Sequence, residues 1–332
     1  MDISRLGVFA FLDSMEGAAS AEFARSVERL GYSVLWVVEG SGRNSLSYAP
    51  WLLARTETLV VATGVASVWA RAASTMAAGA RTAAELSGGR FILGIGTNNH
   101  VSAAMRGLAY DRPVTYMREY LRAMKLAAYD APAPNGEVPV LLAANNPRML
   151  ALAGSDAHGT ITYFVTPEHT ARAREIIGPK LCLCAVQAVM LERDAPRARA
   201  AARSYMKLYL RIPAYLKNLR TLGFDDTDFA AGGSNRLADA IVAWGSEARL
   251  RDRIESHYEA GATHVCVLAL SPEGGLLPDV RALEALAPSV DDRYGRPRAR
   301  KAHAAFFTGS SLNVTSQGGA HASRAPLPEM SP

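Results

Sequence analysis

Eight times along the chain a short, predominantly apolar run gives way to a segment with helical spacing. The runs are residues 6–12, 34–38, 59–69, 91–95, 138–144, 160–165, 181–191 and 264–270. A strand with one face in water alternates apolar and polar residues. A strand that does not alternate is covered on both faces, as in a parallel sheet wrapped by helices. The intervening segments supply those helices. Residues 18–30 end at Gly31, 72–86 stop at Gly88 and Gly89, and 113–128 begin with a proline. Glycine just past a helix and proline in its first turn are ordinary end signals. Further helical segments are 48–57, 147–153, 167–177 and 280–286. Eight such units predict an α/β chain closed into a (β/α)8 TIM barrel, since an open doubly wound sheet of that many strands is less usual.

The segment from about 195 to 260 is mainly helical and too long for one crossover helix. Residues 205–233 are expected to form an excursion near the barrel mouth, with Gly232-Gly233-Ser234 turning into the next helix's N-cap. A length of 332 residues suits one large barrel, expected over 1–290. Residues 291–332 are rich in Arg, Ala, Gly, Ser and Pro without periodicity, and are predicted to be disordered. Much of the net charge of +5 falls there, on Arg293, Arg296, Arg298, Arg300 and Lys301, so it gives no ground for a nucleic-acid partner. An anionic small ligand accounts as well for the remainder. The three cysteines, Cys182, Cys184 and Cys266, form no CxxC pair and no cluster with zinc spacing. They are expected to be buried strand residues, with no metal. No leader pattern and no membrane-length apolar run occurs, which points to the cytoplasm and away from a membrane partner.

Chemistry in a barrel of this kind sits just past the strands' C-terminal ends. Past the second run stands Glu39, as readable as a salt-bridging group as a functional one. Past the third come Ser67, Val68, Trp69 and Arg71, a wall for a flat aromatic ligand or simply core. Past the fourth is Gly94-Ile95-Gly96-Thr97-Asn98-Asn99-His100. Its glycines let the backbone approach a ligand, yet it is no dinucleotide loop, because Asn99 stands where GxGxxG needs glycine. Past the fifth is Ala144-Asn145-Asn146-Pro147; past the sixth is Thr166-Pro167-Glu168-His169, followed by Arg172 and Arg174. Thr166 can cap a helix whose free N–H groups either hold a phosphate or face water. The residues alone specify a polar, glycine-containing mouth suited to a phosphorylated small molecule.

Several blocks, in order and spacing, resemble the luciferase-like monooxygenase superfamily. They are Ser74-Thr75-Met76-Ala77-Ala78-Gly79-Ala80, then Ser87-Gly88-Gly89-Arg90 running into Phe91–Gly96, with Gly31-Tyr32-Ser33-Val34-Leu35-Trp36 and Trp244-Gly245-Ser246-Glu247 through Val265. Tyr163 through Arg174 and Asn218-Leu219-Arg220-Thr221-Leu222-Gly223-Phe224 are similar to the probable F420-dependent oxidoreductase branch. The resemblance implies a barrel of the bacterial luciferase-like type with a helical insertion before the last strand. It implies a deazaflavin across the mouth and hydride transfer to or from a small organic substrate. It also implies a non-proline cis peptide bulging under the ring, whose matching position here is Ser67–Val68. Glu39, Ser67, Val68, Trp69, Gly96, Thr97, Asn98, Asn99 and the Ala144-Asn145-Asn146 turn would line the ring and its side chain. Thr166, His169 and Arg172 would face the phosphate.

Two departures stand out. Relatives that oxidise a sugar phosphate carry a catalytic glutamate where this chain has Asn99, and relatives often have glycine in the turn held here by Asn145 and Asn146. Glu39 and His100 are the remaining candidates for proton transfer. An FMN-dependent monooxygenase using reduced flavin and oxygen is the alternative, and a non-catalytic flavin-binding protein the alternative of another class. The resemblance also implies a homodimer, which close packing of the Ala-rich helix 72–84 would permit; the same helix could equally pack on its own barrel.

Overall fold

The computed structural model describes Ile3 and residues 5–289; the expected disordered tail, with its basic residues, lies outside the described residues. The strands are β1 (Leu6–Ala10), β2 (Val34–Val37), β3 (Val60–Thr63), β4 (Ala66–Ser67), β5 (Phe91–Gly96), β6 (Val140–Ala143), β7 (Gly159–Tyr163), β8 (Cys182–Met190), β9 (Val242–Trp244) and β10 (His264–Ala269). Every pairing is parallel, in the order β10-β1-β2-β3-β5-β6-β7-β8, and β10 pairs with β8 from His264↔Cys184 to Ala269↔Val189. That last pairing closes an eight-stranded barrel, as the eight apolar runs predicted.

Alternation along each strand builds two layers. Phe9, Trp36, Ile92, Leu141, Ile161, Val186 and Leu268 fill the interior. Val8, Leu35, Val61, Leu93, Leu142, Leu183 and Val267 face the surrounding helices. Those helices are α1 (Gly17–Arg29), α2 (Ser45–Leu53), α3 (Ala73–Leu86), α4 (His100–Ala104), α5 (Pro113–Leu126), α6 (Pro147–Asp156), α7 (Pro167–Ile177), α8 (Ala195–Met206), α9 (Pro213–Thr221), α10 (Asp226–Phe229), α11 (Asn235–Ile241), α12 (Glu247–Glu259) and α13 (Val280–Ala285). The small residues of α3, including Ala77, Ala80, Ala83 and Ala84, are buried within the chain. A Cβ on Gly79 would stand 2.8 Å from Leu46 on α2. The close approach that α3 permits is thus used inside the protein.

Two expectations are corrected. The third run is not one strand. It breaks between β3 and β4 at a cis peptide, Gly64–Val65, three residues before the position the resemblance indicated, Ser67–Val68. Glycine fits there because a Cβ on Gly64 would lie 2.7 Å from the Phe9 ring, while Ser67 stays in β4, paired with Gly96. The segment after α8 is mainly helical, as expected, and also holds one short strand, β9. β7 pairs with Cys182–Val186 of β8 and β10 takes the opposite edge, so β9, at Ala188–Met190, continues the edge that β7 leaves.

The insertion sits over the mouth, as expected. Tyr205 and Tyr209 bring their hydroxyls to 2.9 and 2.8 Å from that of Tyr163, at the C-terminal end of β7. Ser234 caps α11 by accepting from the Leu237 N–H. The three cysteines are free and buried. Among the described residues no helix is long and apolar enough to cross a membrane.

Candidate active site at the barrel mouth

Glu39 follows β2 and is 5% exposed. Its Oε2 accepts from the Ser45 N–H (3.1 Å), the Ser45 hydroxyl (2.5 Å) and Arg71 Nη2 (2.6 Å), and its Oε1 accepts from the Ser67 N–H (3.1 Å). One carboxylate therefore ties together the start of α2, strand β4 and the segment after it. Burial raises its pKa, but the hydrogen bonds and the Arg71 charge together outweigh burial and hold the carboxyl below its ordinary range. Its oxygens are committed, and it carries a fixed negative charge.

The segment Ser67–Arg71 forms a wall pinned from α5. Ser67 and Val68 are fully buried. The Trp69 indole N–H donates to the Thr97 carbonyl at 2.7 Å, and its ring stacks on Tyr116 at 4.2 Å and 16°. The Tyr120 hydroxyl donates to the Arg71 carbonyl at 3.0 Å. Tyr110 pairs through its hydroxyl with Thr97 Oγ1 at 3.3 Å, and burial pushes its pKa up. Tyr110, Tyr116, Tyr120 and Ser45 were not among the expected site residues. The i, i+4 spacing of Tyr116 and Tyr120 on one helix face was the signal for that pair.

Gly96 ends β5 at the floor of the mouth. A Cβ there would meet Val65 at 2.7 Å, Ala143 at 3.1 Å and Asn98 Oδ1 at 3.5 Å. Asn98 takes a left-handed backbone, φ 50°, and its Oδ1 is buried without a hydrogen-bond partner. Asn99 instead caps α4, accepting from the Ser102 N–H at 3.1 Å. His100 is exposed on the first turn of that helix.

The Asn145 side chain is bonded to β7. Its amide donates to the Tyr163 carbonyl at 2.7 Å and accepts from the Tyr163 N–H at 3.2 Å, extending the ladder by one rung. Asn146 is the N-cap residue of α6, without a side-chain cap bond. His169 Nε2 lies 2.8 Å from the Asn145 carbonyl. A carbonyl only accepts, so Nε2 carries the proton and the buried Nδ1, which has no partner, is a bare acceptor. Burial lowers the His169 pKa and keeps the ring neutral. Thr166 is the N-cap residue of α7, also without a side-chain cap bond. Arg172 is bonded to Thr221, and Arg174 to the carbonyls of Gly178, Leu181 and Gly261.

Two open cavities meet at Ala70 and Arg71. One, about 460 Å³, is lined by Val68, Trp69, Leu108, Ala109 and Tyr116. The other, about 300 Å³, is lined by Glu39, Ser41, Arg43, Asn44, Met105 and Arg106. At the opposite end of the strands the closed barrel brings Cys184, His264 and Cys266 together, with ligand-type atoms all within 4.8 Å of one another. Spacing along the sequence did not foretell that cluster. It is fully buried, and the Trp36 indole N–H already donates to His264 Nε2 at 3.3 Å.

The barrel has known counterparts. The chain is similar to the 5,10-methylenetetrahydromethanopterin reductase of Methanolobus tindarius, 25% identical over 209 residues, 55% of this chain and 64% of that protein. It thus spans just under two thirds of that relative's length. Its fold resembles the coenzyme F420-dependent tetrahydromethanopterin reductase of Methanopyrus kandleri, with a TM-score of 0.70 and 18% identity, covering 89% of this chain and all (100%) of that one. It also resembles the FMN complex of the oxygenating constituent of 3,6-diketocamphane monooxygenase from Pseudomonas putida, with a TM-score of 0.62 and 14% identity, covering 87% and 98% of the two chains. The luciferase-like monooxygenase profile matches residues 5–264, and the chain belongs to that family.

Proposed function

We propose that the protein is an F420-dependent oxidoreductase that moves a hydride between the deazaflavin and a small organic substrate at the barrel mouth. The observation that carries this reading is the floor at Gly96, where the buried Asn98 Oδ1 has no partner. A buried acceptor left unmade costs about 1–3 kcal/mol, which a donor on a flat heterocycle would remove. The residues present therefore fit such a ring. The similarity to proteins named as methanopterin reductases favours the deazaflavin over FMN.

A bound deazaflavin supplies the hydride chemistry at its C5 carbon, and the protein contributes binding and orientation. Gly96 lets the end of β5 pack against Val65 and Ala143 where no Cβ would fit, and Trp69, stacked on Tyr116, forms a rigid wall beside it. Glu39 and Arg71 fix that wall to β2 and α2. Phe9, Tyr163, Phe164, Tyr205 and Tyr209 form an aromatic cluster from β1 to β7 and the insertion, whose packed rings exclude water. We assign Glu39 a positioning role, because a carboxylate held charged by four donors exchanges no proton near neutral pH. His100, exposed at the rim, is the proton-transfer candidate that stays open to solvent.

The test is a fluorescence titration of the full chain with F420 and with FMN, each oxidised and reduced. Tight F420 binding with weak FMN binding is the expected result. The reverse preference would favour the flavin monooxygenase reading, and binding without turnover of any donor would favour a non-catalytic flavin protein.

A further inference from the structure

The second cavity holds more positive charge than its own pairing accounts for. It lies between the loop after β2 and the end of α4 and carries three guanidinium groups, Arg43, Arg71 and Arg106, against one carboxylate, Glu39. Glu39 and Arg71 neutralise each other at 2.6 Å with side chains 4% and 8% exposed. Arg106 is held by carbonyls, donating to Ser102 at 2.9 Å and to Gly40 at 3.0 Å. Arg43 donates to the carbonyls of Leu12 (2.7 Å) and Met15, and lies over the Tyr48 ring. Carbonyls fix the direction of a guanidinium but cancel none of its charge. Asp13 is the nearby acid; it accepts from the Arg43 backbone N–H at 3.2 Å and offsets part of the excess. A net positive charge remains, on forks pre-oriented by the backbone and with N–H groups to spare.

We propose that this cavity is a subsite for the anionic group, a carboxylate or a phosphate, of the organic substrate. The inference rests on the oxidoreductase reading for the word substrate, and on the cavity alone for the anion. Planar, bidentate pairing with a carboxylate or phosphate is what Arg106 can offer and a lysine cannot. The adjoining cavity, walled by Trp69, Tyr116 and Leu108, takes the apolar or flat body of the same molecule. The substrate class is thus a small organic acid or phosphate ester with an apolar body. The same chemistry could come from the cofactor's own phosphate, and the experiment separates the two sources.

The experiment is calorimetric titration of the full chain with benzoate, with inorganic phosphate and with uncharged benzamide, first without cofactor and then with saturating F420. At least one of the two anions is expected to bind, and benzamide to bind at least tenfold more weakly. Arg106→Gln is expected to weaken anion binding at least tenfold, with Arg106→Lys between the two, and circular dichroism should show both variants folded at the titration temperature. F420 should leave the anion affinity intact. Binding of neither anion, or anion binding indifferent to Arg106→Gln, overturns the subsite. Competition between F420 and phosphate overturns the substrate assignment and gives the site to the cofactor. If F420 fails to bind while the anions still respond to Arg106→Gln, the subsite stands and the cofactor reading falls.

Discussion

Glu39 and Arg71 form a buried ion pair, 2.6 Å apart, across 32 residues of sequence. Each is the other's charge partner, with side chains 4% and 8% exposed. Removing one member of such a pair typically costs about 3–5 kcal/mol, because the remaining charge is stranded. Glu39→Gln is therefore expected to lower unfolding stability by about that much and to loosen the Ser67–Arg71 wall. Urea unfolding measures the loss. The double variant Glu39→Gln/Arg71→Met, which strands no charge, should recover most of it; a double variant as unstable as the single one would count against the pair.

Trp69 stands between α5 and the mouth, stacked on Tyr116 and bonded to the Thr97 carbonyl. Trp69→Phe keeps the stack, worth about 0.5–1.5 kcal/mol, and loses a hydrogen bond worth about 1 kcal/mol. Trp69→Ala loses both. If the wall orients the cofactor, the Ala variant should weaken F420 binding roughly tenfold more than the Phe variant, tenfold being about 1.4 kcal/mol. Equal affinity in both variants, read by fluorescence titration, would sink that role.

Asn145 bonds both backbone groups of Tyr163 through its side chain. Asn145→Gly, which removes the side chain, is expected to cost about 1–3 kcal/mol by leaving those two groups unsatisfied. Hydrogen exchange at the Tyr163 amide should speed up in the variant, while amides of β1 and β2 on the far side of the barrel should not change. Unchanged protection at Tyr163 would show that the side chain is dispensable there.

The barrel was legible because its strands are apolar on both faces and its helices end on glycine or begin on proline. β9 was not, since Val242-Ala243-Trp244 is too short a run to show a period and pairs only where β7 has ended. The cis peptide was misplaced because resemblance alone positioned it; Gly64 stands inside a β-type run, 59–69, and the Phe9 ring beside it marks the break. At the mouth, Glu39 was identifiable by its place after a strand. Its partners were not, because Ser45 meets it through the turn into α2 and Arg71 through the pairing of β2 with β3, which brings the segment after β4 alongside. Sequence likewise showed Asn145 as a polar side chain in a turn, with nothing to say that it would face β7 instead of the cavity.

His257 gives a pH dependence with a definite sign. Its Nε2 lies 2.9 Å from Gln187 Oε1, and its Nδ1 lies 2.8 Å from the Thr170 hydroxyl. The Gln187 amide nitrogen donates to the carbonyls of Ala188 and Ile241, so its oxygen is the atom facing His257 and accepts from Nε2–H. Nδ1 then accepts from Thr170, and the neutral ring is satisfied on both nitrogens. Burial, followed by the charge of Arg253, lowers the pKa from 6.5 to about 3. The unfolded chain therefore binds the proton first. The stability tied to neutral His257 is complete above pH 6.5 and is lost as pH falls from 6.5 towards 3, at up to about 1.4 kcal/mol per unit. The buried carboxylates held low, Glu39 among them, begin to lose their contributions only as pH falls below about 4.5, in the lower part of that window. Urea midpoints compared at about pH 7.5, 6 and 5 isolate the histidine, because model carboxylates titrate lower, near 4. His257→Gln should flatten the decline by about 1 kcal/mol per unit in that window. His169, buried and neutral, acts in the same direction and should leave a residual slope in the variant. Parallel slopes in the parent and variant would mean that His257 is not the group being titrated.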